Sequence, residues 1–346
     1  MKSAALGKFS LGLLLFLAGL VSALGADEQI PGGTTLGIEG SQFTLNGRPV
    51  FLFGISYYGG LGAPREIWRK DLADLKRLGF NWLRIWAIWS SSGEDLSAVD
   101  GEGNAREPFL SRLKQIVAEC DQQGLAVDIT LSRGKSATGS PQLSTLRAHS
   151  QAVETLLAAL KAHRNWFLDL SNERNVRDKR FTSFDDLREL RALARKLDPS
   201  RLITASHAGD ISFEELRSYV QEVRVDFISP HRPREPQSSA ETLSKTQQYL
   251  HWMKDLAQVV PVHYQEPFRR GYGKWQPKLA DFLQDARNAK SSGASGWCFH
   301  NGDNRNSSDG QPRRSFDLRE KTLFEQLDEE ELKVLEGLSK LFGSRN

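Results

Sequence analysis

Trp166-Phe-Leu-Asp-Leu-Ser-Asn-Glu-Arg174 decides the reading of this chain. Its first five residues are bulky and almost wholly apolar, and the run is too short for a helix. It ends abruptly in a polar tip, Ser171 to Arg174. That is the pattern of a strand covered on both faces, as in a parallel sheet, with its C-terminal end open to solvent. The segments on either side, 144–162 and 183–197, are longer and of helical period.

The same alternation runs outward in both directions. Short apolar runs rich in β-branched and aromatic residues predict strands over 51–57, 81–88, 126–131, 166–170, 202–206, 225–229, 260–264 and 294–299. Between and after them the spacing predicts helices over 66–78, 110–123, 144–162, 183–197, 212–223, 240–258, 278–290 and 320–341. Apolar residues there recur at three- and four-residue steps, as at Leu72, Leu75 and Leu78. Eight β-then-α units predict an α/β protein closed into a (β/α)8 TIM barrel. A doubly wound open sheet is the rival architecture, but no Gly-rich phosphate loop follows the first strand. Ahead of the barrel, residues 41–50 read as a short N-terminal β-hairpin, with Asn46-Gly47 suited to its tight turn.

Residues 1–26 read separately. Lys2 and Lys8 precede an apolar run from Leu11 to Ala23, then small residues at Gly25 and Ala26, in the order of a secretory signal peptide. An uncleaved N-terminal anchor is the alternative. The domain reading is therefore 1–26 signal peptide and 27–346 a single catalytic barrel, secreted or periplasmic. Its removal takes two lysines and no acids, so formal charge falls from +3 to +1. A nearly neutral protein gives no electrostatic basis for nucleic acid or anionic membrane as partner. Arg269-Arg270 and Arg313-Arg314 read as solvated surface or loop anchors. Cys120 and Cys298 fall in elements not expected to meet, and no Cys/His ligand spacing supports a metal. No cofactor is expected, and the chain is expected to be a monomer.

Chemistry in a barrel belongs to the C-terminal ends of its strands. Strand four ends in Asn172-Glu173, and strand seven, Val260-Pro-Val-His-Tyr-Gln, ends in Glu266. Two carboxyl groups can therefore converge at one mouth. Glycosidic cleavage needs such a pair, one protonated to donate to the leaving oxygen and one ionised to attack the anomeric carbon. Either glutamate alone reads equally well as a surface residue paired with a nearby arginine, Arg174 for the first, Arg269 or Arg270 for the second. Position on strands four and seven is what joins them.

At that point the chain resembles glycoside hydrolase clan A, the cellulase- and mannanase-like (β/α)8 enzymes, closest in style to glycoside hydrolase family 5. The resemblance rests on Asn172-Glu173, on Glu266 and on the opening stretch Leu45-Asn-Gly-Arg-Pro-Val-Phe-Leu-Phe-Gly-Ile-Ser-Tyr-Tyr58. It implies a retaining O-glycosyl hydrolase with Glu173 as general acid/base and Glu266 as nucleophile. It implies that Arg84 orients the nucleophile and that Asn172 binds the sugar 2-hydroxyl. His231 resembles a histidine supporting the nucleophile, although Pro233 stands where a Tyr is common, and Tyr264 is the candidate to supply that phenol. Trp297 and Trp89 are the candidate sugar platforms. Asp128 and Asp169 read as hydrogen-bonded core residues, and His207, His300 and Asn301 as residues near the mouth.

The expected reaction is hydrolysis of a β-linked oligo- or polysaccharide by double displacement. A transglycosylase using the same pair and a non-catalytic carbohydrate-binding barrel are the two other readings. The loops at 90–107 and 301–314 are expected to shape the cleft.

Overall fold

The computed structural model describes residues 32–91, 94–134, 141–301 and 316–343. The signal-peptide segment, Arg313-Arg314 and all of the 301–314 loop beyond Asn301 lie outside the described residues.

Three short antiparallel strands come first: β1 (Leu36–Glu39), β2 (Gln42–Leu45) and β3 (Arg48–Val50). Asn46 and Gly47 both take positive φ, 51° and 74°, the conformation of a tight hairpin turn. Then come β4 (Leu52–Ser56), α1 (Arg65–Arg77), β5 (Trp82–Trp86) and a small hairpin, β6 (Ser90–Ser91) with β7 (Glu94–Asp95). They are followed by α2 (Phe109–Gln123), β8 (Ala126–Thr130), α3 (Leu146–Ala159), β9 (Trp166–Asp169) and α4 (Phe184–Leu197). Next are β10 (Leu202–Thr204), β11 (His207–Ala208), α5 (Phe213–Arg217) continued by a π-helical turn over Ser218–Val223, and β12 (Pro230–His231). The chain finishes with α6 (Ser238–Asp255), β13 (His263–Tyr264), α7 (Leu279–Ser291), β14 (Gly296–Phe299) and α8 (Glu329–Phe342).

Seven parallel strands pair in the order β10-β9-β8-β5-β4-β14-β13. Residues 225–229 close the ring between its two ends. Asp226 N–H donates to the Ile203 carbonyl at 2.9 Å, and His263 N–H donates to the Ile228 carbonyl at 2.9 Å. The fold is a (β/α)8 barrel, with the predicted sixth strand as its closing segment, paired by a single bridge between Ile228 and Val262.

The helices start where the sequence signals a start. Ser183 accepts from Asp186 N–H while the Asp186 carboxylate accepts from Ser183 N–H, and Asp328 and Glu331 do the same at α8. The last helix therefore begins at Glu329, later than the predicted 320. The preceding stretch is turned instead, with Leu323 N–H held by the buried Asp71 carboxylate at 2.9 Å.

Inside the barrel the lower end is aromatic. Phe43, wholly buried, enters from β2 and meets Phe167, Phe227 and His263 at ring-centroid distances of 6.4, 5.0 and 5.5 Å. The N-terminal hairpin is thus the floor of the barrel. Gly54 is required beside it, because a Cβ there would lie 1.9 Å from the Trp82 indole. Polar groups gather above this floor, toward the C-terminal ends of the strands.

Candidate active site

Arg84 rises from β5 into the barrel and is completely buried. Its Nε lies 3.1 Å from Asp128 and 3.0 Å from the Thr130 hydroxyl, and its Nη2 lies 3.4 Å from Asp169. The other Nη2 bond, 3.1 Å long, goes to the side-chain oxygen of Asn172, and Nη1 donates to Glu266 Oε1. One rigid guanidinium therefore positions groups from three strands. Burial raises the Asp128 pKa to about 8 against the pull of the Arg84 charge. Asp128 and Asp169 are the hydrogen-bonded core residues expected, Asp169 also accepting from Ser206 N–H at 3.0 Å.

Glu173 lies beyond β9 with φ of 47°, a left-handed conformation rare for a side-chain-bearing residue. Its N–H donates to the Ser206 hydroxyl at 3.0 Å and its carbonyl accepts from Val176 N–H at 3.0 Å. Such backbone persists where surroundings over-determine it, and it turns the carboxylate back over the mouth. One oxygen of Glu173, one of Glu266 and a ring nitrogen of His231 all lie within 4.8 Å of one another. His231 Nδ1 is 3.4 Å from Glu173 and 3.6 Å from Glu266.

Two arginines complete the ring. Arg234 Nη2 stands 2.8 Å from Glu266 Oε2 and 3.8 Å from Glu173 Oε1. Arg180 Nη1 stands 2.9 Å from Glu173 Oε2. Burial raises the pKa of both glutamates, but their neighbours outweigh it. Foremost for Glu266 are His231, Arg84 and Arg234, and the surroundings hold it well below the ordinary value. For Glu173 the His231 contact and Arg234 act against burial and against Glu266, and the net direction is downward, less far. Both carboxylates are ionised at neutral pH, whereas the sequence reading has one of them protonated. Their order, with Glu266 the stronger acid, suits one nucleophile and one proton donor.

An aromatic wall flanks the pair. Tyr58, Trp86 and Trp89 cluster with centroid distances of 4.7 to 5.9 Å, and Trp86 lies 4.8 Å beneath the Arg84 guanidinium. His300 Nδ1 is 3.2 Å from the Pro267 carbonyl, which can only accept, so that nitrogen carries the hydrogen. Burial holds the ring neutral, leaving Nε2 to accept from the Tyr58 hydroxyl at 2.9 Å.

Of the residues singled out from sequence, Glu173, Glu266, Arg84, Asn172 and His231 converge, and Trp89 joins the aromatic wall. Tyr264 and Trp297 do not. The Tyr264 hydroxyl bonds Thr246 of α6 at 2.6 Å, and the Trp297 indole N–H bonds Asp285 of α7 at 2.6 Å. Both rings are fully buried between barrel and helices, so neither reaches a sugar. Arg174, weighed as a partner of Glu173, stacks instead on Phe184 at 3.7 Å. Arg270 anchors its loop on Asp328 at 2.9 Å, and Arg269 is half-buried near Arg234 and the Tyr272 ring. Arg180, Arg234 and Tyr58 carry no local signature of a site role. Cys120 and Cys298 are free and buried.

Glu173, His231 and Glu266 are the one group spaced for a metal ion among the described residues. Arg84, Arg180 and Arg234 already occupy their oxygens, and three guanidiniums oppose a cation electrostatically. No helix among the described residues is long and apolar enough to cross a membrane.

No family model matches the chain, and no curated protein matches it. Solved structures do. The glycoside hydrolase family 5 mannosidase from Rhizomucor miehei superposes with a TM-score of 0.62 at 12% identity, covering 92% of this chain and 98% of that one. The endo-1,4-beta-mannanase of the same organism gives 0.59 at 14% identity, over 76% and 89%. A beta-glucuronidase from Ruminococcus gnavus gives 0.59 at 17% identity, over 90% of this chain and 54% of that chain. The barrel is the one used by these glycoside hydrolases.

Proposed function

We propose that this chain is a retaining glycoside hydrolase that cleaves a β-linked glycan by double displacement. The observation that carries the reading is the facing pair: carboxylates from the ends of the fourth and seventh strands, with oxygens within 4.8 Å. Retention requires carboxyl groups about 5–5.5 Å apart, whereas inversion needs room for a water between nucleophile and sugar. Glu266, held by Arg84 and Arg234, attacks the anomeric carbon as the glycosidic C–O bond breaks. Glu173 delivers its proton to the leaving oxygen. It then takes a proton from water, which displaces Glu266 and regenerates both groups. Arg84 is donor-only, so its bond fixes the Asn172 oxygen toward it and leaves the amide N–H2 to meet the sugar 2-hydroxyl.

The free pair is doubly ionised, so Glu173 must take up a proton on or before substrate binding. Sugar covering the mouth adds desolvation, which raises the Glu173 pKa. The charge on Glu266 disappears once its oxygen is glycosylated, which lowers the Glu173 pKa again and suits its second role as base. The order of charged, apolar and small residues over 1–26 supports secretion, and with it a glycan met outside the cytoplasm.

The test uses activated aryl β-glycosides and 1H NMR of the first product. Glu266→Gln should abolish turnover, and the β-anomer should appear first. Turnover undiminished in Glu266→Gln, or first release of the α-anomer, would overturn the reading. Product masses exceeding the substrate would instead identify transfer to sugar.

A further inference from the structure

Among the described residues four arginines stand at this mouth, and three have carboxylate partners. Arg84 has Asp128, Asp169 and Glu266; Arg180 has Glu173 and Asp178; Arg234 has Glu266. Arg269 has none. Among the described residues it makes no ion pair, and its buried Nε lacks any hydrogen-bond partner. It also lies beside a like charge. Tyr272 places its ring 4.3 Å from the Arg234 guanidinium and 5.3 Å from that of Arg269. Burial and the charge of Arg234 both lower the Arg269 pKa, so the cation is held where its surroundings disfavour it.

A buried polar atom without a partner calls for an explanation, and one that belongs to a charged group most of all. Hydroxyls of a neutral sugar could hydrogen-bond it but would leave its charge uncompensated. An anion would satisfy the fork and neutralise that charge at once. Arg269 stands three residues beyond Glu266 on the same loop. The anion therefore belongs to the sugar at, or adjoining, the point of cleavage.

We propose that the substrate is an anionic glycan, whose carboxylate or sulfate ester pairs with Arg269 beside Arg234. The proposal rests on the glycosidase reading of the same mouth. It makes Arg269 a specificity-determining residue, separate from the chemistry performed by Glu173 and Glu266.

The test is calorimetric titration of the intact protein with paired oligosaccharides. β-1,4-Linked oligoglucuronate is compared with cello-oligosaccharide, its carboxyl-reduced form, and oligomannuronate with manno-oligosaccharide. Sulfated forms of the two neutral oligosaccharides make a third arm, and the arm that binds best separates carboxylate from sulfate. At least one anionic ligand should bind about tenfold or more tightly than its neutral parent, the scale of one charge-assisted contact. That preference should fall below about threefold in Arg269→Gln, survive in part in Arg269→Lys, and weaken with added salt in the unaltered protein. No preference for any anionic ligand overturns the proposal, as does a preference unchanged in Arg269→Gln. Turnover of neutral glycans that depends on Glu266, without anionic preference, removes this proposal and leaves the glycosidase. Anionic preference without turnover does the reverse.

Discussion

Arg234 Nη2 lies 2.8 Å from Glu266 Oε2, and its other near carboxylate is Glu173 at 3.8 Å. One cation thus separates two anions that would otherwise repel each other across the mouth. Activity requires Glu173 protonated and Glu266 ionised. Both are depressed, Glu266 further, so the active form is populated on the acid side. The kcat/KM profile on an uncharged aryl glycoside should therefore have an acidic optimum, falling as pH rises above the Glu173 pKa. In Arg234→Gln both pKa values should climb and the whole profile should move upward, by on the order of one pH unit. A profile that keeps its position would mean that Arg234 does not set these charges.

Arg84 makes a different prediction because it is wholly buried and shared. Arg84→Met leaves Asp169 with no counter-charge among the described residues and leaves Glu266 to Arg234 alone among the arginines. Removal of one partner from a buried ion pair costs about 3–5 kcal/mol, and urea denaturation should show a loss of that size. Arg84→Lys retains the charge but cannot span Thr130, Asn172 and Glu266 together. It should recover much of the stability while kcat stays low, separating support of the fold from orientation of the nucleophile.

The sequence makes strands four and seven readable because alternation of short apolar runs and helical segments is local. It does not reveal which way each side chain in a strand points. Neighbouring residues face opposite sides, so a shift of one position exchanges core for barrel interior. That parity is why Tyr264 and Trp297 fail as site residues. His263 and Gln265 face inward on either side of Tyr264, Gln265 bonding Asp128 at 2.7 Å. Cys298, next to Trp297, faces inward at 3.5 Å from Ser56. Strand six escapes full strand pairing because the segment 225–229 meets its neighbours through only a few hydrogen bonds. Arg180 and Arg234 lie on loops whose paths depend on contacts distant in sequence, so nothing local marks them. Arg84, by contrast, enters through the resemblance, and its place inside Trp82–Trp86 agrees with it, because a charge there is costly unless paired.

Phe43 couples the N-terminal hairpin to the barrel, and the consequence concerns stability alone. Its ring fills the floor against Phe167, Phe227 and His263, well below the glutamates. Phe43→Ala should cost about 3–5 kcal/mol by leaving a cavity. Activity per folded molecule should stay near that of the parent at low temperature. Denaturation monitored by tryptophan fluorescence, with active-site titration, checks both halves, and a selective loss of kcat would contradict the separation of floor from mouth.

His263 gives the floor a pH dependence. Its ring lies 4.5 Å from the Trp82 ring and 5.5 Å from that of Phe43, and burial lowers its pKa to about 3. The sign follows from which state binds the proton. Between about pH 6.5 and the folded value, the unfolded chain takes up a proton at this residue and the native chain does not. The histidine therefore lowers stability as pH falls through that window, by up to about 1.4 kcal/mol per pH unit. His149 and His207, each lowered to about 4 by burial, act in the same direction over a narrower range. Replacing His263 with Leu removes one such group, so urea midpoints measured from pH 6.5 to 4 should decline less steeply than in the parent. Parallel declines would show that His263 takes up its proton in the folded barrel as readily as in the unfolded chain, and the aromatic floor would then have to accept a charge as pH falls.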